Sequence, residues 1–218
     1  MTDDLIANGK RRRRRATGSY AAADARRAAV VEAASRLFAE QGYHQTSLAQ
    51  VAGDAGVSQT GLLHHFKGKD VLLLAVLEFH DRSRASRFDP PARGLRRLLE
   101  HMLDVLREEV DSPGLTRLFS TTAGEATDPA HPAHDYFRRR FALMRENNAR
   151  AVRASIEAGL VRPDVDPQAL GRALVAVADG LTGQWLIDPS FDVVEHVRDH
   201  FEMLMRGIVT DGGGLTAP

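Results

Sequence analysis

The sequence predicts an all-α chain of about nine helices, with a short three-helix unit at the N-terminal end and a larger helical bundle after it. Three observations carry that reading. Apolar residues recur at i, i+3, i+4 and i+7 through most of the chain, and no stretch sustains the period-two alternation of a half-buried strand. Breakers built from Gly, Pro and Ser fall at helix-length intervals. A chain of 218 residues, 43% of them apolar, has enough core-forming side chains for one or two domains.

Residues 1–24 are polar and Arg-rich without periodicity, and they read as a disordered arm. From Arg26 onward Val30, Ala33, Ala34, Leu37 and Phe38 form an apolar stripe, with Arg27, Glu32, Arg36 and Glu40 opposite. A helix over 26–41 follows, stopped at Gly42. Ser47 and Gln50 have the spacing of a capping box, which opens a second helix over 47–55 with Leu48, Val51, Ala52 and Ala55 buried. Gly56 ends it, Ser58 caps a third helix over 58–66, and Gly68 breaks the chain again. The fourth helix, 69–87, turns Leu72, Leu73, Val76 and Phe79 inward.

Beyond it, Pro90-Pro91 precedes a helix over about 92–110, and Ser112-Pro113-Gly114 precedes one that fades by Asp128. The loop Pro129 to Pro132 leads to a long helix over about 133–158, with Phe137, Phe141, Met144 and Val152 on one side. After the loop Arg162 to Pro167 come helices at about 168–187 and 191–209, and the tail 211–218 should fray. The implied domains are 25–70, with the paired helices at 47–66, and 71–210.

Composition removes several classes. With no cysteine there are no disulfides, thiolate zinc sites or cysteine nucleophiles. The longest apolar run, Val71 to Leu77, is far short of the roughly 20 residues of a membrane span. The basic run Lys10 to Arg15 lacks the hydrophobic segment of a signal peptide, so a soluble, cytoplasmic protein with no membrane partner is expected. A formal net charge of zero conceals an asymmetry: residues 1–70 carry a net +4 and the rest a net −4.

Three short helices with the tight turn Ala55-Gly56-Val57-Ser58 between the last two have the dimensions of a helix-turn-helix unit. Gly56 suits a positive φ, and Val57 is placed to plug the corner. Leu62 and Phe66 face the core, which leaves Thr60, Leu63, His64 and Lys67 outward and Gln59 to Gly61 at the end where a recognition helix meets base edges. Leu63 is apolar on an outward face; contact with sugars or a thymine methyl would explain it.

Residues 26–80 resemble the DNA-binding domain of the tetracycline-repressor (TetR) family of bacterial regulators. The resemblance rests on Ala33-Ala34-Ser35-Arg36-Leu37-Phe38-Ala39-Glu40-Gln41-Gly42-Tyr43, on Thr46-Ser47-Leu48-Ala49-Gln50-Val51-Ala52, on the turn, and on Gly61-Leu62-Leu63-His64-His65-Phe66-Lys67-Gly68-Lys69. It implies that Thr46, Ser47 and Lys69 hold phosphates, that Gln59, Thr60 and Gly61 approach base edges, and that His64 and His65 take backbone or base contacts. Ser58 and Leu63 complete the expected DNA-facing set. The family usually has Tyr where this chain has Leu63, so a phosphate hydrogen bond is lost there. Asp128 to His134 and Ala178 to Pro189 look like recurring segments of one branch. The resemblance further implies a homodimer through helices 168–187 and 191–209, paired as a four-helix bundle, and a regulatory domain that takes a small molecule.

Blander readings stand beside these. Lys10 to Arg15 could grip phosphates or the minor groove, or be a solvated tail that raises non-specific affinity. His131 with His134, and His196 with His200, have spacings a metal could use, but capping, surface or interface roles fit them better, and neither a metal nor a cofactor is expected. His101, Met102, Phe119, Phe137, Phe141, Met144 and Trp185 are core residues or, between bundle helices, the wall of an apolar ligand pocket. There is no phosphate loop, metalloprotease helix or nucleophile elbow, and nothing local supports a triad from Ser155, Asp179 and a histidine, so no enzyme is expected.

The expectation is therefore a homodimeric repressor on a near-palindromic double-stranded operator, released by an unnamed effector. An activator, an effector-independent regulator, or a helical ligand-binding or enzymatic protein that has lost operator binding are the alternatives, the last supported only by Leu63.

Overall fold

The computed structural model describes the backbone of residues 3–85 and 94–210, and side chains over 22–82 and 94–210. Among them the elements are α1 (Asp3–Gln41), α2 (Leu48–Asp54), α3 (Gln59–His65), α4 (Lys69–Ala85), α5 (Gly94–Asp111), α6 (Pro113–Glu125), α7 (His134–Glu157), α8 (Pro167–Ile187) and α9 (Val193–Ile208). No strand occurs among the described residues, where an isolated bridge joins Val161 and Val209.

One departure concerns the N-terminus. The expected disordered arm 1–24 differs from the backbone, which is helical from Asp3 into the predicted first helix. Ala and Arg, which dominate this lead-in, rank among the strongest helix formers, and polarity without an apolar stripe does not by itself break a helix. The side chains of Lys10 to Arg15 and the tail 211–218 lie outside the described residues.

The chain divides into two units, one ending at Phe79 and one beginning at His80. The break falls within α4 and not at residue 70, as the sequence pattern had placed it. α4 is one uninterrupted helix whose Leu72, Leu73, Val76 and Leu77 are fully buried, so no breaker marks the seam.

In the first unit Val30, Ala33, Ala34 and Phe38 of α1 are buried, as are Val51 and Ala52 of α2 and Leu62 of α3. Phe66, the residue that stops α3, is 1% exposed, with the Arg27 guanidinium 5.0 Å from its ring centre. Truncating Phe38 or Phe66 to Ala would cost about 3–5 kcal/mol.

The second unit is organised around Leu95, Leu99 and Leu103 of α5, Val152 of α7, Leu174 of α8, and Val197 and Phe201 of α9. Two polar groups on α7 set its close approaches. Ser155 Oγ accepts Leu95 N–H, in the first turn of α5, at 2.8 Å, satisfying a donor that the helix itself cannot. Asn148 donates to the Gly171 carbonyl of α8 at 3.1 Å. A Cβ on Gly171 would lie 3.0 Å from the Arg145 carbonyl, so only glycine lets α8 come this close to α7. Asp166 and Asp192 cap α8 and α9 as side-chain acceptors, and the Val161–Val209 bridge ties the end of α9 to the loop after α7.

Candidate nucleic-acid interface and internal cavity

The helix pair in the first unit is built by reciprocal caps. Ser47 Oγ accepts from Gln50 N–H while Gln50 Oε1 accepts from Ser47 N–H at 2.7 Å, the capping box its spacing implies. Gly56 has φ +65°, and the next amide, Val57 N–H, donates back to the Ala52 carbonyl at 2.9 Å. That turn delivers Ser58, whose hydroxyl accepts Gly61 N–H at 3.1 Å and starts α3. With Leu62 buried, the helix presents Gln59, Thr60, Leu63 and His64 outward; Leu63 is 38% exposed. His65, partly buried, stacks edge-on against His64.

A shallow groove at the start of α3 is lined by Gly56, Ser58, Gly61, His64, His65 and Arg26 of α1. Arg26 is the member the sequence reading missed; it had been taken only as the start of the helical pattern, and nothing in its local sequence says that the turn lies against it.

Two of the expected phosphate ligands are differently placed. Thr46 is corrected: at 1% exposure its hydroxyl donates to the Gly42 carbonyl at 2.9 Å and faces that of Leu37 at 3.3 Å, so it closes the α1–α2 corner. A small β-branched alcohol at a turn satisfies buried carbonyls as readily as it would meet a phosphate, and sequence spacing does not separate the two roles. Lys69 reaches back over the Tyr43 ring, 4.4 Å from its centre, and donates to the His44 carbonyl at 3.1 Å. Partial burial lowers its pKa against the opposing pull of Asp70, whose carboxylate in turn accepts the Tyr43 hydroxyl. Ser47 stays exposed at the start of α2.

In the second unit α5, α7 and α8 enclose an apolar cavity lined by Leu98, Met102, Leu106 and Met144, with His101 at its edge. A second cavity adjoins it, lined by Phe119, Phe137 and Phe141. The two share Glu109, Arg140, Asp179 and Thr182. Six of the seven expected pocket residues therefore line one cavity or the other. Trp185 lines neither and packs against the leucine core.

The charged members of that wall were not among the expected pocket residues: Asp179 interrupts a small-residue stretch, but Arg140 ends the run Arg138 to Arg140 and Glu109 follows Arg107 and Glu108, where a charged residue reads as solvent-facing. Arg140 donates from Nε to Asp81 at 3.0 Å, and Tyr136 donates its hydroxyl to the same carboxylate. Burial opposes the charge on Arg140, but Asp81 and the other anions around it outweigh that, and its pKa is raised. Asp179 is crowded by protein on the cavity side while keeping an accessible edge; desolvation pushes its carboxyl up to about 6 against the pull of Arg140, with Glu109 pushing the same way. Burial lowers the His101 pKa, which keeps its imidazole neutral near pH 7.

Among the described residues no group of three or more His, Cys, Asp or Glu is arranged for a metal. His134 donates to the Ala126 carbonyl at 2.9 Å and His131 accepts Ala133 N–H at 3.2 Å, so both serve the loop before α7. His196 bonds to the Asp192 carbonyl at 2.8 Å within α9. No helix of the described residues is long and apolar enough to cross a membrane.

Comparison with known proteins agrees with this geometry. Residues 30–76 match the family described as bacterial regulatory proteins, tetR family, and residues 91–206 match the BetI-type transcriptional repressor C-terminal family. The HTH-type transcriptional regulator TtgR of Pseudomonas putida is 27% identical over 180 residues, covering 79% of this chain and 86% of its own length. NalD, the secondary repressor of the MexAB-OprM multidrug efflux pump in Pseudomonas aeruginosa, superposes with a TM-score of 0.68 at 25% identity, over 86% of this chain and 97% of its own. A Saccharomonospora viridis chain crystallised in complex with choline gives 0.69 at 27% identity, over 85% of this chain and 98% of its own.

Proposed function

The chain belongs to the tetR family of bacterial regulatory proteins and is a DNA-binding transcriptional regulator, and from that premise we propose a homodimeric repressor whose operator affinity falls when a small molecule fills the α5–α7–α8 cavity. The observation that carries the DNA side is the capped α2–turn–α3 unit, which holds Gln59, Thr60, Leu63 and His64 together on one exposed face. Gln59 and Thr60 reach base edges, His64 and His65 meet backbone or bases, and Ser47 with the remaining donors of Lys69 meets phosphates. Gly61 and Ser58 allow close approach at the helix start.

The exposed faces of α8 and α9 support pairing through 168–187 and 191–209. Ile187 is 88% and Met203 66% exposed, and Ala173, Ala176 and Gly180 line the open side of α8. Two copies related by a two-fold axis would present two α3 helices to successive major grooves about 34–36 Å apart. An effector that favours the separation DNA disfavours weakens DNA binding by the factor by which DNA weakens effector binding. The relay is α4: it begins at Lys69 and carries Asp81, the partner of the cavity-lining Arg140.

Gel shift of the full chain with DNA from beside its own coding region, with excess non-specific competitor, tests the DNA reading. A complex that survives competitor supports it; a smear that competitor removes contradicts it.

A further inference from the structure

Of the groups expected to hold the DNA backbone, Thr46 is buried on two carbonyls and Lys69 is partly engaged with His44 and the Tyr43 ring. The arginines of the first unit show where the remaining positive charge lies. Arg27 sits over the Phe66 ring at 5.0 Å, and Arg36 pairs with Asp54 at 2.7 Å. Arg26 differs from both: it is exposed, and among the described residues its guanidinium meets no anion, ring or carbonyl.

The helix that carries Arg26 explains this. Its neighbours three and four residues away along α1 are Ala22, Ala23, Ala29 and Val30, none able to pair with it, whereas Arg36 has Glu32 and Glu40 at the i−4 and i+4 positions. No carboxylate lines the groove that Arg26 borders, so its charge is not neutralised from α2 or α3 either. Its place is specific. The same groove is lined by Gly61 and His64, members of the face that α3 turns outward, which brings an uncommitted guanidinium beside the helix that meets bases. A guanidinium fork matches the oxygens of a phosphate and can hold two of them at once. The tetR-family match begins at residue 30, so Arg26 lies outside the part of this chain that it covers.

We propose that Arg26 is a DNA-positioning residue: its guanidinium grips a backbone phosphate beside α3 and fixes the register in which Gln59 and Thr60 meet base edges. The inference rests on the reading of α3 as the recognition helix. Such a contact adds affinity for every sequence alike and leaves the choice of sequence to α3.

The salt dependence of binding tests this, because a phosphate contact contributes to it and a purely structural role does not. The full-length native protein, Arg26→Gln, Arg26→Lys and Arg36→Gln are titrated by fluorescence anisotropy over a series of salt concentrations. Two probes are used: a duplex enriched from a random library and a mixed-sequence duplex. Arg26→Gln is expected to weaken binding to both and to reduce the slope of log affinity against log salt by about 1 for each chain bound. Arg26→Lys should keep the native slope, as should Arg36→Gln, which removes the same charge from a paired position. An unchanged slope in Arg26→Gln, or an equal fall in Arg36→Gln, would overturn the phosphate contact. A loss confined to one base position would also overturn it, by making Arg26 a base reader. If no sequence enriches, the recognition-helix reading falls, and the slope on the mixed-sequence duplex decides the Arg26 contact by itself. Because Arg26 has no partner in the described residues, the urea midpoint of Arg26→Gln should match that of the native protein. A lowered midpoint with an unchanged slope would assign Arg26 to the fold instead.

Discussion

The Arg140 guanidinium donates to Asp81 at 3.0 Å, joining a residue that lines both cavities on α7 to one near the end of α4. Their side chains are only 18% and 31% exposed, so the pair is screened less than a surface ion pair.

Asp81→Asn removes the charge that Arg140 and Tyr136 share. It should cost about 1.5–3 kcal/mol in urea unfolding, the range for a hydrogen bond to a charged group. Under the proposed relay through this pair, the variant should also hold operator DNA at effector concentrations that release the native protein. Arg140→Gln in the same background should recover part of the lost stability, since no buried guanidinium is then left without its anion. Additive losses in the double variant would show that the two residues do not act as a pair.

Asp179 gives a pH signature. Its folded pKa of about 6 lies above the ordinary 3.8, so between those values the native state holds more protons than the unfolded chain. Its contribution to stability therefore falls as pH rises through that window and stays unfavourable above it. Asp179→Asn should be more stable than the native protein at pH 7.5, with the difference fading as pH drops below about 4. Urea midpoints of the two proteins across pH 4–8 check this, and a difference independent of pH would refute it.

Thr46→Val tests the buried role assigned to that hydroxyl. It should lower stability by about 1 kcal/mol, the usual net worth of a hydrogen bond, and leave the DNA affinity of the folded protein unchanged. Weaker binding across all sequences at unchanged stability would return a phosphate role to this position.

On α3, Gln59→Ala should cost about 1–3 kcal/mol at one operator position and relax its sequence preference. Leu63→Tyr should tighten binding across sequences by restoring a hydroxyl that can reach a phosphate, with little change in salt slope because no charge is added. A Gln59 effect spread evenly over all positions would assign that residue to the backbone.

Local signals made the helix pair readable from the sequence, because every device there spans a few residues: Ser47 with Gln50, Gly56 at φ +65°, Ser58 three residues before Gly61. The cavity wall was only half readable. Met102, Met144 and the phenylalanines follow helical periodicity, but Arg140 and Asp179 gain their meaning from Asp81 and Glu109, on other helices. Trp185 and Thr46 show the converse: the family resemblance offered each a ligand role, while Trp185 packs against the leucine core and the Thr46 hydroxyl is bonded within the α1–α2 corner. The α5 start at Gly94 likewise depends on Ser155, which no local rule connects to it.

Selection of full-length protein on a random duplex library, followed by sequencing, tests the central claim most directly. The account predicts one enriched near-palindrome with half-site centres about one helical turn apart, bound by two chains and lost in Gln59→Ala at one symmetric pair of positions. Enrichment of no sequence, or of a single asymmetric half-site bound by one chain, would contradict it.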